Sequence, residues 1–360
     1  MIKVLVTDVG RSPALNFCRS LRLSNEDIFI VGIDTNKYSL TWAEADIKYL
    51  SPDYKNEKYL AFLNYIIDLY DIDLVYPSKT GGELLFLARN QEKIHAPLFL
   101  PEYEDIKVFE DKWKTYNFIK EKELCQVPKT YLVHNKKELY FYMKELTNDF
   151  SKEAWIRRIY GSGGAGSIPT NDYLLAKAWI DRNNGWGKFT ISEKLTSQTM
   201  TWSGLWKNGK LIVSQARERL YWEFADRAPS GVTGITGAQR VIDSYNLDEI
   251  SIRVIKAFSR CPNGCICVDY TMDEKGNPNL TEIQASRLYT STHFLAKCGV
   301  NLPYIFCKLA LDLPIDDEEI KPAKNHNMLW LKYVETYPQL VSEEEIQKEI
   351  YETEQILEKL

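Results

Sequence analysis

Three segments of the chain hold residue types that could act on phosphate and carboxylate groups. The first is WIRRIYGSGGAGS at 155–167, an apolar strand carrying Arg157 and Arg158 that runs into a loop with Gly161, Ser162, Gly163, Gly164 and Gly166. Glycine accepts positive φ and close backbone approach, so such a loop can turn its N–H groups onto phosphate oxygens. Arg157 or Arg158 adds a fixed cation with a bidentate fork. A ligand-free hairpin turn is the plainer reading, but four glycines in six residues exceed what a turn needs. No Gly-Lys-Ser/Thr follows, so the loop is not a Walker A motif.

The second segment pairs Val268-Asp269-Tyr270 with Leu280-Thr281-Glu282-Ile283-Gln284 across the turn DEKGNP. On antiparallel strands Asp269 and Glu282 can share one sheet face, and with the amide oxygen of Gln284 they offer the hard oxygen set that suits Mg²⁺, with Mn²⁺ as a substitute. Such a hairpin alone is more often simply solvated. Downstream of a phosphate loop it gains a purpose, because a cation neutralises charge the loop leaves uncompensated. The third segment joins Arg217 and Arg219 to the glycine-bearing stretch SGVTGITG at 230–237 and to Arg287. These arginines could hold a substrate carboxylate or the charge on a phosphoryl group in transfer; without the neighbouring motifs they would read as surface residues.

The elements that must position these groups follow from hydropathy patterning. Apolar runs at Ile2–Thr7, Ile28–Ile33 and Leu74–Pro77 alternate with helical spacing around Leu15–Leu21, Tyr59–Tyr70 and Leu84–Ala88. That alternation predicts βαβ units and a parallel sheet. A boundary falls near 105–111, and a helix is expected from Asp111 to about Glu123. Residues 151–215 read as strand-rich, with hairpin signals at Asn183–Gly187 and Asn208–Gly209, and 215–240 reads as loop. Helix is expected over Asp248–Ser259, strands over Cys265–Met272 and Asn279–Gln284, and helices near Thr292–Cys298 and Pro303–Ala310. At the tail, Ser342 and Glu345 form a capping box ahead of an apolar stripe through Ile346, Ile350, Thr353, Leu357 and Leu360. The stripe suits a helix docked on its own domain, with a homodimer seam as the alternative.

Composition narrows the field. The 360 residues carry a net charge of −5, are 44% hydrophobic and 26% charged, and suggest two to three globular units. An acidic balance argues against a phosphate-backbone binder. No apolar run approaches the ~18 residues of a membrane span, and the N-terminus lacks secretory features. The expectation is a soluble, cytoplasmic protein without nucleic-acid or membrane partners. Seven scattered cysteines do not make a disulfide framework; Cys261, Cys265 and Cys267 lack zinc spacing and read as packed thiols. The histidines His95, His134, His293 and His326 form no metal-binding pair.

Taken in order, these segments resemble the ATP-grasp superfamily, in particular its carbamoyl-phosphate synthetase large-subunit-like branch. The resemblance implies an α/β and α+β molecule: an N-terminal parallel-sheet pre-ATP-grasp domain over 1–108, then a two-subdomain ATP-grasp fold over 109–325 whose small subdomain spans about 125–195. A C-terminal segment with an amphipathic helix would occupy 326–360. It further implies that Lys112, in FEDKWKTYNFIKEKELCQVPKTYLV, and Arg157 lie near ATP phosphates, and that 161–166 is a mobile phosphate loop. Glu193, Lys194 and Leu195 of ISEKL would flank adenine. Asp269, Glu282 and Gln284 fall at the metal-ligand positions, where Gln284 replaces the usual Asn, and Arg287 matches the arginine that closes the motif. The family's ribose-contacting acid matches around Gln198 or Thr199.

The implied activity is that of an ATP- and Mg²⁺-dependent carboxylate–amine ligase acting on small molecules. A γ-phosphoryl group passes to a carboxylate, and an amine displaces phosphate, with orientation and charge stabilisation providing the catalysis. Arg217, Arg219 and Arg287 are the candidates for the acid and its acyl phosphate. The alternatives are carbamoyl-phosphate-synthetase-like phosphorylation of a carboxy substrate, and a non-catalytic nucleotide sensor on the same fold. A dinucleotide oxidoreductase is suggested by Gly10 and Asp34, but TDVGRSPA has one glycine where that fingerprint wants three.

Overall fold

A computed structural model describes residues 1–161, 163–285, 287–323, 327–333 and 339–344. The apolar runs near the N-terminus become β1 (Ile2–Thr7), β2 (Ile28–Asp34), β3 (Ile47–Leu50) and β4 (Leu74–Tyr76), a parallel sheet in the order β3-β2-β1-β4. Val4 and Val6 face one side and Leu5 the other, so the sheet is covered on both faces. The helix Ser12–Leu21 packs on the first side and Tyr59–Tyr70 on the second. The expected βαβ organisation is thus present; β3, with its alternation of half-buried and exposed residues, was not foreseen.

A second sheet is antiparallel, in the order β5-β8-β6-β7, from β5 (Thr130–Val133), β6 (Ala154–Arg158), β7 (Ile168–Thr170) and β8 (Phe189–Glu193). The helices Lys136–Leu146 and Tyr173–Arg182 cover it through Leu139, Met143, Ala176 and Ile180. Asn183–Gly187, read from sequence as a hairpin, instead ends the second of these helices and leads into β8.

The largest sheet holds seven antiparallel strands in the order β13-β12-β9-β10-β11-β14-β15. They are β9 (Thr199–Lys207), β10 (Lys210–Trp222), β11 (Thr236–Ile242), β12 (Gly264–Met272), β13 (Pro278–Ala285), β14 (Met328–Leu331) and β15 (Gln339–Ser342). The reading of 215–240 as loop is corrected here: β10 continues to Trp222, and β11 begins at Thr236. The charges that suggested solvent are matched across the strands. Glu218 accepts from Arg240 Nε at 2.9 Å and from Gln198 Nε2 at 2.8 Å, and Arg219 meets Asp269.

The two faces of this sheet differ in use. Trp202, Trp206, Ile266, Val268 and Tyr270 point into a core shared with the helix Tyr245–Phe258. Leu205, Val213, Val241, Cys265 and Cys267 point to the other side, against the first helix of the chain and the helix Leu302–Ala310. At one end of that second face the apolar residues give way to Thr201, Arg217, Arg219 and Asp269, and there a cleft opens. Among the described residues no helix is long and apolar enough to cross a membrane. Ser342 closes β15, while Glu345 and the apolar stripe of the tail, like Ser162, Ser286 and His326, lie outside the described residues.

Candidate active site

The cleft measures about 770 Å³ and lies between the small antiparallel sheet and the large one. Its walls bring together Lys112, Arg157, Gly161, Gly163, Gly164, Glu193, Lys194, Leu195, Arg217, Arg219, Asp269, Glu282, Gln284 and Arg287. Gly166 faces a neighbouring cavity of about 420 Å³, where its carbonyl accepts from Trp179 Nε1 at 3.0 Å.

Lys112 owes its place to a helix start. Asp111 caps the helix Lys112–Glu121 through the N–H groups of Trp113 and Lys114, each at 3.1 Å. The Lys112 N–H donates to Ile159 O at 3.0 Å. Its ammonium then bridges the glycine loop and β13, donating to Gly161 O and standing 3.3 Å from Glu282 Oε1. The loop itself is stacked on a second loop. A Cβ on Gly164, whose φ is +71°, would lie 2.2 Å from Val232 O, and one on Gly234 would lie 3.0 Å from Gly163 Cα. Positive φ and backbone contact together make glycine necessary at 164.

β12 and β13 oppose Asp269 to Glu282 and Cys267 to Gln284. The two carboxylates therefore share a face, and the reason is a one-residue bulge. From the turn, the register pairs Met272 with Pro278 and Tyr270 with Leu280. Continued without interruption, it would set Thr281 against Asp269 and turn Glu282 into the core. Instead Thr281 is extra. Its hydroxyl donates to Asp269 O at 3.1 Å, and its carbonyl accepts from Arg157 at 2.8 Å. Arg157 thus ties β6 of the small sheet to the carboxylate strands. Burial pushes its guanidinium below the usual arginine range, opposed by the nearby Glu282 and Asp269 charges. Arg158, the other candidate on that strand, donates to Asn183 Oδ1 and lies over the Phe189 ring.

Each carboxylate already has a cation. Asp269 Oδ1 accepts from Thr201 Oγ1 at 2.7 Å and from Arg219 at 2.5 Å. Burial opposes its ionisation, but Arg219, Thr201 and Arg217 outweigh that and hold it below the usual carboxylate range. Glu282 Oε1 takes Lys112 and the amide nitrogen of Gln284, the latter at 3.1 Å. These contacts fall on one oxygen of each carboxylate, which leaves a second oxygen on each for a hard divalent ion. Two opposed carboxylates and a neighbouring amide fit such an ion. Among the described residues no three or more His, Cys, Asp or Glu side chains cluster as a metal site.

Arg217 differs from its neighbour. It is 2% exposed, and its partners are neutral: Gln239 Oε1, Thr236 Oγ1, Ser291 Oγ and the Tyr289 ring, whose centroid lies 3.8 Å away. Burial and the adjacent Arg219 push its pKa down to about 10. Arg217 Nε, Arg219 Nε, Gln239 Nε2 and the Thr199 and Tyr289 hydroxyls are buried without a hydrogen-bond partner among the described residues. Buried donors are rarely left so; Arg217, Arg219 and Tyr289 line the cleft, where their free donors suit an anion from outside the chain. Arg287, 8% exposed, completes this end.

On the opposite wall Glu193 Oε1 accepts from the Lys129 N–H at 2.9 Å, and Lys194 pairs with Glu153. Of the two positions considered for a ribose contact, Thr199 lines the cleft, whereas the Gln198 side chain is turned to Glu218. Sequence reasoning passed over Trp155, Tyr160, Thr201, Trp222 and Tyr289, which also line the cleft. Extending the Asn208–Gly209 hairpin from sequence would have set Thr201 beside Ala216; a register shift between Leu211 and Val213 sets it beside Arg217 instead. Asp34 is consumed by its own loop, accepting from the Gly10 and Asn36 N–H groups at 3.0 and 2.8 Å, as a structural residue would.

No family model matches the chain, and no curated protein matches it in sequence. Solved structures do match in shape. Carboxyaminoimidazole ribonucleotide synthase from Aspergillus clavatus, complexed with ATP, superposes with a TM-score of 0.69 at 13% identity, covering 92% of this chain and 81% of that one. The fold is the ATP-grasp fold. The biotin carboxylase domain of Hydrogenobacter thermophilus 2-oxoglutarate carboxylase, solved with MgADP and bicarbonate, gives 0.64 at 16% identity over 91% of this chain and 73% of that one. The L-amino acid ligase from Bacillus licheniformis gives 0.64 at 13% identity over 92% and 79%. At these identities the likeness establishes architecture: a parallel-sheet domain, then the two antiparallel sheets that enclose the cleft.

Proposed function

We propose that the chain is an ATP- and Mg²⁺-dependent ligase that activates a small-molecule carboxylate as an acyl phosphate for attack by an amine. The observation that carries this reading is the cleft's division of charge. A glycine loop with Lys112 and Arg157 lies on one side, opposed carboxylates lie in the middle, and a buried arginine, without an acidic partner among the described residues, lies at the far end. The similar structures solved with ATP and with MgADP support nucleotide use. We assign 1–108 to the preceding domain, 109–325 to the ATP-grasp unit with about 125–195 as its small subdomain, and 326–360 to a C-terminal segment whose β14 and β15 extend the large sheet.

In this reading the 161–166 loop and Lys112 hold the triphosphate, and residues 193–195 flank the base. Asp269, Glu282 and Gln284 would hold the divalent ion, which when bound neutralises phosphate charge and aligns the γ-phosphoryl group. Arg217 and Arg287 orient the acid so that its oxygen takes the phosphoryl group as the bond to ADP breaks. An amine then attacks the acyl carbon, inorganic phosphate leaves, and the amine gives up a proton. The chain's contribution is positioning and fixed charge, and no side-chain nucleophile is needed.

The test is phosphate release from ATP against a panel of carboxylates paired with amines. Release that requires both partners supports the ligase. Release with the acid alone would point to simple phosphorylation, and tight nucleotide binding without turnover would point to a sensor. Two substitutions probe the nucleotide side. Arg157→Ala is expected to weaken ATP binding about tenfold by isothermal titration, the scale of one lost charge-assisted contact at about 1.5 kcal/mol; unaltered affinity would move that role to Arg158. Gly164→Ala carries an αL penalty of about 1–2 kcal/mol and a collision with Val232 O. It should raise the KM for ATP by a similar factor and also lower Tm slightly, since the strained conformation is already present without nucleotide; an unchanged KM would show that the loop does not close on the nucleotide.

A further inference from the structure

The face of β12 that presents Asp269 carries a second kind of chemistry. Strand alternation puts Cys265 and Cys267 on that face, and their sulfurs lie 3.8 Å apart. Cys265 is wholly buried; Cys267 is also buried, at 3% exposure, but lines the cleft and lies 3.1 Å from Ser203 Oγ. Of the three cysteines that the sequence groups together, only Cys261 is exposed and stands apart from this pair. All seven cysteines are free thiols, and no third His, Cys, Asp or Glu completes a metal cluster with these two among the described residues. What remains for the pair is sulfur–sulfur chemistry.

We propose that Cys265 and Cys267 form a thiol–disulfide site on the floor of the cleft, oxidised by low-molecular-weight disulfides that enter through it. Cys267 attacks one sulfur of the incoming disulfide and forms a mixed disulfide, and the first thiol leaves with the proton. Cys265 then attacks the Cys267 sulfur, and the second thiol leaves with the other proton. Two protein thiols are oxidised to one internal disulfide, and the reagent is reduced to two thiols.

The backbone sets the character of that bond. Residues two apart on a strand have Cα atoms about 6.7 Å apart, near the upper limit of about 6.8 Å for a disulfide. Side chains on one strand face stand parallel, so the Cβ atoms are spaced similarly, whereas a disulfide holds them about 3.5–4.5 Å apart; closing the sulfurs must therefore shorten the pleat of β12, and a bond under such strain is readily reduced. The pull acts one step along the same face from Asp269 and directly opposite Gln284. Oxidation is thus expected to misplace the carboxylate pair and to be reversed by ordinary thiols.

The experiment treats the folded full chain with bis(2-hydroxyethyl) disulfide, digests it without reduction, and maps cysteine-containing peptides by mass. In the unaltered chain the peptide spanning 265–267 should lose two hydrogens and regain them with dithiothreitol. Cys265→Ser should leave the reagent's mixed disulfide trapped on Cys267, and Cys267→Ser should leave Cys265 unmodified because it does not reach the cleft. Mn²⁺ binding, followed by electron paramagnetic resonance, should weaken about tenfold in the oxidised protein, the scale of a disturbed supporting contact around a metal. An unmodified 265–267 peptide under conditions that label Cys261, or a Cys267 adduct that never resolves to the internal bond, would overturn the site. Unchanged Mn²⁺ affinity after oxidation would overturn its link to the carboxylates. The mass readout does not depend on the ligase reading, so the two can fail separately.

Discussion

Glu282→Ala should lower Mg²⁺-dependent turnover by at least about 10²–10³-fold, the scale seen when one preorganised electrostatic group is removed from a reacting centre. Glu282 is the carboxylate that the β13 bulge turns toward Asp269, and its side chain meets the cleft and not the core. Truncation therefore opens no apolar cavity, and Tm should shift by less than about 2 °C, as for ordinary surface changes. Lys112 would lose its carboxylate partner but remains beside Gly161 O and the open cleft. The decisive measurement is a Mg²⁺ titration of turnover together with Mn²⁺ binding in the same protein. Equal turnover and an equal metal requirement in the variant would remove Glu282 from the metal set.

Arg217→Met should separate function from stability in the opposite way to a core substitution. The guanidinium is buried among Gln239, Thr236, Ser291 and Tyr289 with no acidic partner among the described residues, and its depressed pKa reflects that burial. An uncompensated buried charge destabilises the free protein, and a hydrophobic group of similar volume is often neutral or stabilising there. We expect Tm to hold or rise. Turnover with the acid substrate should fall about 10²–10³-fold, chiefly because the anion loses its fixed partner. A variant with lower Tm and normal turnover would make Arg217 a structural residue.

The sequence revealed those parts of the site whose residues were close together along the chain. The glycine loop, the strand carrying Arg157, and the Asp269 and Glu282 strands could each be read from short-range pattern, and the cleft unites them. The parallel sheet was legible for the same reason, because buried strands separated by helices leave a local signature. The reading failed where partners come from far away. Arg217, Glu218 and Arg219 look like surface charge until Asp269, Arg240 and Gln198 are brought beside them, so the strand they occupy was read as loop. Tyr289 looks like an ordinary core aromatic until Arg217 stacks on it. The bulge did leave a trace: Leu280 and Ile283 both enter the core, three residues apart, where an unbroken strand would space them by two.

The extra residue in β13 also decides what a change of chain length would do. Deleting Thr281 would restore an even ladder and keep Glu282 across from Asp269, yet it would take away the carbonyl on which Arg157 rests. The small and large sheets would lose the Arg157 tie between them while the acidic pair stayed in place. A one-residue deletion, more than any substitution, would therefore separate the tie between the two sheets from the chemistry they enclose.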